Sequence, residues 1–172
     1  IEALNGVLYV IVFMANGFTF SSVLYCLMTS ALVVITVIDE RTYQIPVSMN
    51  LFIGLIGVIM TVYDYKHILS HLIGMVCVSL FLYALYYFSS GQAIGGGDIK
   101  LMATAGLVLG VKNIVFAFFL ACILGSIIHT IRMKVSKKNN LLAMGPYLSV
   151  SIYIAALWGN CFWSWYLGLM GL

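Results

Sequence analysis

The chain carries five carboxylates, Glu2, Asp39, Glu40, Asp64 and Asp98, in 172 residues. Two of them stand apart by position. Asp39 and Asp98 each close or open an apolar run beside residues that redirect the backbone, whereas Asp64 lies in the polar turn Asp64-Tyr65-Lys66-His67 and reads as a solvated loop residue. Glu40 and Arg41 are neighbours in a short connection, as expected of a topology signal or a local ion pair. An ionisable group at membrane depth costs about 2.5–3.5 kcal/mol or more and is a functional candidate by default. Two carboxylates held about 3 Å apart cannot both ionise, so they share a proton and titrate as a pair. The ionised member then acts as general base on a water while the protonated member polarises a carbonyl, which suffices to hydrolyse a peptide bond.

The flanking residues say how such a pair would be held. Pro46 follows Asp39 in Thr42-Tyr43-Gln44-Ile45-Pro46. Proline lacks a backbone donor and pushes its predecessor toward extended geometry, so the helix should stop near Asp39 and restart near Val47. Gly95-Gly96-Gly97 precede Asp98, and such a run permits positive φ and close approach of another backbone. Asp98 also stands where a helix should begin, and an N-cap role there would contribute about 0.5–2 kcal/mol. Capping accounts for the aspartate but not for three glycines ahead of it.

These elements belong in lipid. Hydrophobic residues make up 63% of the chain and charged ones 8%, with a mean hydropathy of +1.12. A soluble domain carries about a quarter charged residues, and a crossing takes roughly 20 apolar residues. The expected fold is therefore all-α: one polytopic helix bundle over residues 1–172, with about six or seven transmembrane segments and a Gly-rich break before Asp98. The apolar runs are Leu4–Phe20, Val23–Ile38, Val47–Tyr63, Ile68–Phe88, Ile99–Gly110 and Ile114–Ile131, then one long or two short segments from Leu141, where Gly159-Asn160 marks a candidate break. Backbone groups in hydrocarbon must be satisfied internally, so the runs are helices. If Ile1 starts in the cytoplasm and each run crosses in turn, Arg41, Lys100, Arg132, Lys134, Lys137 and Lys138 fall on the cytoplasmic side, against Lys66 and Lys112 on the other. That asymmetry satisfies the positive-inside rule, and it places Asp39 and Asp98 on one side.

Other chemistries lack their signatures. Cys26, Cys77, Cys122 and Cys161 lie singly in apolar stretches, with no CxxC or Cys/His spacing, so they read as packing residues and no metal site is indicated. His67, His71 and His129 are scattered and read as packed or interfacial. No GxSxG, Walker loop or HExxH is present, and no cofactor is implied. A net charge of +3 without a basic aromatic stripe excludes a nucleic-acid partner.

Taken together, the motifs resemble the type 4 prepilin peptidases, membrane aspartyl proteases of the GxGD class. The similarity lies in Gly95-Gly96-Gly97-Asp98-Ile99-Lys100-Leu101-Met102-Ala103, in Asp39 with Ile45-Pro46, in Met144-Gly145-Pro146-Tyr147-Leu148, and in Glu2 to Gly6. The resemblance implies Asp39 and Asp98 as the catalytic pair and Gly95, Gly97, Pro46, Gly145 and Pro146 as residues that shape the site. It makes Lys100, Arg41 and Arg132 candidates for substrate or headgroup contact. It implies a prokaryotic inner-membrane location with the dyad toward the cytoplasm. The partners would be membrane lipids and type IV prepilin or pseudopilin precursors, cut after a glycine ahead of their hydrophobic helix. Val47 departs from the family's acidic residue after Ile-Pro, and Ala143-Met144 from its Pro-Phe. Bifunctional members carry an upstream CxxC segment linked to N-methylation; the 172 residues contain none, so methyltransferase activity is not expected of them. With Ile1 first, the chain reads as part of something longer or as a naturally short peptidase-only member. Two other readings remain open at this point: a different GxGD protease acting on archaellin-like precursors or transmembrane stubs, and an ion- or proton-coupled transporter subunit.

Overall fold

The structure, a computed structural model, describes residues 2–91, 94–135 and 144–171. Within them six α-helices follow one another: α1 Glu2–Asn16, α2 Phe20–Thr42, α3 Val47–Tyr63, α4 Ile68–Phe88, α5 Gly96–Val135 and α6 Gly145–Met170, with a single 3-10 turn at Tyr65–His67. Three stretches are long and apolar enough to cross a membrane, Phe20–Thr42, Tyr65–Phe88 and Gly96–Ile128, and two shorter helices, α1 and α3, are also apolar. The chain is a helical membrane bundle, as its composition requires.

The sequence explains most of the boundaries. Thr19 caps α2 by accepting the Ser22 N–H on its hydroxyl. Pro46, extended at φ −62 and ψ 131, sets the start of α3. At its other end α2 runs three residues past Asp39, through Thr42, and stops at Tyr43 in the left-handed region (φ 54), whose N–H returns to the Asp39 carbonyl. Asp98 is likewise not a cap: α5 begins at Gly96, which puts Asp98 inside the first turn, its N–H bonded to the Gly95 carbonyl at 3.1 Å. The candidate break at Gly159-Asn160 is absent, because α6 continues through both residues to Met170.

Helix α5 is the centre of the bundle and it is not straight. Gly110 leaves the helical region (φ 75, ψ 170), and the neighbours on either side show that the chain reverses there. Gly54 and Gly57 of α3 meet Thr104 and Leu107, so α3 and the first arm of α5 run together. Ser70 of α4 lies against Gly110, and Gly74 lies against Gly106. Phe81, further along α4 and away from Gly110, packs edge-on against Phe118, so by Phe118 the chain has come back. On α6, Asn160 bonds to Asn113 and Phe162 stacks on Phe116, while Tyr147 at the opposite end meets Gly125. The two arms, split at one residue, correspond to the separate segments expected at Ile99–Gly110 and Ile114–Ile131.

Breaking a helix orphans backbone groups, and lipid offers them nothing. Here side chains take over. The Leu107 carbonyl, in the turn that Gly110 disrupts, accepts from His71 Nδ1 at 2.9 Å and from the Thr61 hydroxyl at 3.4 Å. The Val111 N–H donates to Ser70 Oγ at 3.3 Å. His71 is buried, and its Nε2 lies 3.5 Å from Asp64, which also takes His67 Nδ1 at 2.9 Å. Asp64 is thus less a free loop residue than its sequence neighbours suggest: its side chain is 38% exposed and tied to both histidines. The hydrogen bond from His67 holds its carboxyl below the usual range, partial burial opposing.

The core itself is aliphatic, with Met28, Ile35, Ile53, Leu101, Met102 and Ile152 essentially sealed. Within a bilayer such side chains hold the helices together by close van der Waals packing, since lipid is as apolar as they are. The outward faces are apolar too, as at Leu51, Leu69, Leu80 and Phe119, which suits lipid and not water.

Candidate active site

Four chain segments converge at the end of the bundle opposite Gly110. The last turn of α2 supplies Asp39; Tyr43 to Pro46 leads into α3; the first turn of α5 supplies Asp98; and Gly145 opens α6. A cleft of about 360 Å³ lies between them, lined among the described residues by Asp39, Tyr43, Gln44, Ile45, Val47, Gly95, Gly96, Gly97, Asp98 and Lys100. The two aspartates are 59 positions apart in the chain and are the carboxylates that line this cleft. Both are nearly buried, Asp39 4% and Asp98 8% exposed.

Each is held by backbone. The Gly145 N–H donates to Asp39 Oδ2 at 2.9 Å. A Cβ on Gly145 would stand 2.6 Å from that oxygen, so no residue larger than glycine fits without moving the carboxylate. Pro146 occupies the first turn of α6, where its missing N–H costs nothing, and the buried Gly145 N–H is the donor at the helix start. The positive end of the α6 dipole therefore faces Asp39. Asp98 sits against Gly95, 3.1 Å from where a Cβ would be, and Gly97 packs its bare α-carbon on Ile45, where a Cβ would come within 3.0 Å. The glycine run thus presses the first turn of α5 onto the segment that follows Asp39. Tyr43, a non-glycine in the left-handed region, costs on the order of 1–3 kcal/mol and lines the cleft.

The other residues singled out by sequence divide. Lys100 lines the cleft beside Asp98, and Pro46 starts the wall at Val47. Arg41 is exposed in the last turn of α2 and does not line the cleft. Arg132 belongs to the backbone of α5, and its side chain lies outside the described residues, as do Lys137 and Lys138. One residue escaped the sequence reading altogether. Asn50, on the first turns of α3, is 4% exposed, and neither atom of its carboxamide has a hydrogen-bond partner. The available signal was an amide inside the apolar run Val47–Tyr63.

A pair of buried carboxylates in one open cleft can hold a water between a base and an acid, an arrangement suited to acyl hydrolysis in which water, not a side chain, is the nucleophile. Among the described residues no three His, Cys, Asp or Glu side chains stand where they would hold a metal ion.

Residues 26–130 match the type IV leader peptidase family. The chain is 31% identical over 97% of its length to the prepilin leader peptidase/N-methyltransferase of Neisseria gonorrhoeae, covering 60% of that protein. It is 30% identical over 98% of its length to the protein of the same name from Legionella pneumophila, covering 61%. Over 56% of its length it is 33% identical to the one from Bacillus subtilis, covering 39%. The chain therefore spans about 60% of the length of its full-coverage relatives. No solved structure matches.

Proposed function

Because the chain belongs to the type IV leader peptidase family, we propose that residues 1–172 form one intramembrane aspartic endopeptidase domain whose catalytic pair is Asp39 and Asp98. The observation that carries this reading is that the two carboxylates, brought from different helices, line one cleft. One acts as general base on a water and the other as general acid on the scissile carbonyl. The Gly145 N–H engages one oxygen of Asp39 and orients its carboxyl group, leaving the proton transfer to the other oxygen. The substrate is the cytoplasmic leader of a type IV prepilin or pseudopilin precursor, cut after a glycine. The six-to-two split of Lys and Arg supports an inner-membrane protein with the cleft on the cytoplasmic side. Lys100, at the cleft margin, contacts the substrate or a lipid headgroup.

The test is cleavage of a prepilin-like precursor by the purified full-length protein in liposomes, alongside Asp39→Asn and Asp98→Asn. Cleavage after the leader glycine by the wild type alone is the expected result. Equal cleavage by all three would remove the dyad from the mechanism.

A further inference from the structure

An amide buried beside lipid with nothing to bond to is costly, and such groups are normally paired. Asn50 breaks that rule with both its nitrogen and its oxygen, while its own backbone N–H is satisfied by the Pro46 carbonyl. Its position is fixed by two contacts between α3 and α5. Ile45 meets Gly97 just ahead of α3, and Gly54 meets Thr104 one turn beyond Asn50. Because the two helices run together, Asn50 stands level with Lys100 and Leu101, about one turn of helix past Asp98. It belongs to the inward stripe Asn50, Ile53, Gly57, Met60 of α3. Val47, three residues earlier, lines the cleft, so Asn50 follows about one helical turn along α3 from a lining residue, beside the arm that carries Asp98.

A peptide segment drawn toward the dyad must present its backbone in extended form and leave water behind. Each residue then brings one N–H and one C=O that need partners. A carboxamide offers one acceptor oxygen and two donor hydrogens, the complement of a single peptide unit. We propose that Asn50 is a substrate-binding residue whose carboxamide pairs with the backbone of the peptide segment lying next to the scissile bond. The inference rests on the peptidase reading of Asp39 and Asp98. It implies tolerance of side-chain identity at that point of the substrate, since only main-chain groups are read.

The experiment is steady-state cleavage of a prepilin-like precursor by the full-length protein and by Asn50→Leu and Asn50→Ser, with Tm measured for each. A residue without a partner at rest loses no hydrogen bond on substitution, so Asn50→Leu should keep or raise Tm. It should raise KM about tenfold with kcat within about twofold, the pattern of lost ground-state binding. Asn50→Ser, which keeps one donor and one acceptor, should fall between. Wild-type kinetics in Asn50→Leu overturn the assignment, and so does a drop in Tm that accounts for its lost activity. A wild type that does not cleave would overturn the peptidase reading and this inference with it, whereas equal cleavage by wild type and Asn50→Leu overturns the role of Asn50 alone.

Discussion

The bundle interrupts its helices at both ends, and the two interruptions are treated in opposite ways. At Gly110 every group freed by the break and traced above is closed off: the Leu107 carbonyl by His71 and Thr61, the Val111 N–H by Ser70. At the other end the breaks around Asp39, Asp98 and Gly145 surround an open cleft, keep Tyr43 strained and leave Asn50 without a partner. The same physical demand, that polar groups at membrane depth be satisfied, is met by side chains for the backbone at Gly110, although Asn113 Oδ1 close by has no partner, whereas beside the dyad a whole carboxamide is left unpaired. The difference that remains is an open cleft: the dyad end has one and keeps its strain beside it, while at Gly110 side chains fill the break.

If that contrast is right, substitutions at the cleft should cost activity before stability, and those at the hairpin the reverse. The largest effect is expected from Asp39→Asn and Asp98→Asn. Each should lower kcat by roughly 10³-fold, within the range for removal of a general acid or base, with helicity and Tm retained; collapse of the fold in both would assign the aspartates to structure. Next comes Gly145→Ala, whose Cβ would meet Asp39 Oδ2 at 2.6 Å. Displacing a reacting group by about 1 Å costs on the order of 10²-fold in rate, and a fully active Gly145→Ala would show that the N–H clamp is dispensable. At the closed end, Gly110→Ala forces an alanine to φ 75 and brings its Cβ to 2.9 Å from Ser70 Oγ. It should cost about 1–3 kcal/mol of stability yet leave turnover per folded molecule unchanged, as thermal unfolding and active-site-normalised rates would reveal.

The smallest effect concerns Asp64. Its carboxyl is held below its usual value in the folded chain, mainly by His67, so its contribution is present above the unfolded value and disappears as pH falls through the folded one. Asp64→Asn should therefore lower the unfolding free energy near pH 6 by less than about 1 kcal/mol, as for other partly exposed pairs. The difference from wild type should vanish once the carboxyl is protonated. A gap that widens in acid would mean that the linkage runs the other way.

What could be read in the sequence were the features that side chains spell out. The apolar runs gave the helices and both arms of α5, the lysines and arginines put the aspartates on one side, and Pro46 marked the start of α3. What could not be read were the contacts made by backbone: the Gly145 N–H on Asp39, the Leu107 carbonyl on His71, the Val111 N–H on Ser70. Every residue but proline carries the same N–H and C=O, so these partners have no letter of their own. Gly145 entered only through the resemblance of Met144-Gly145-Pro146-Tyr147-Leu148 to a family pattern, and its reason, lack of room for a Cβ, is visible only in three dimensions. Helix ends slipped for a related cause: Pro46 suggested a stop near Asp39, whereas α2 gains three more residues by closing on Tyr43.

The hydrogen bond from Gly145 to Asp39 joins residues 106 positions apart. A chain inserting into the membrane from its N-terminus makes Asp39 early and Asp98 later, yet the clamp on Asp39 closes only once the last helix is in place. Loop closure over that distance is among the late events of assembly. A half-inserted chain would thus carry both aspartates without a formed site, and proteolytic competence would become a checkpoint on complete biogenesis.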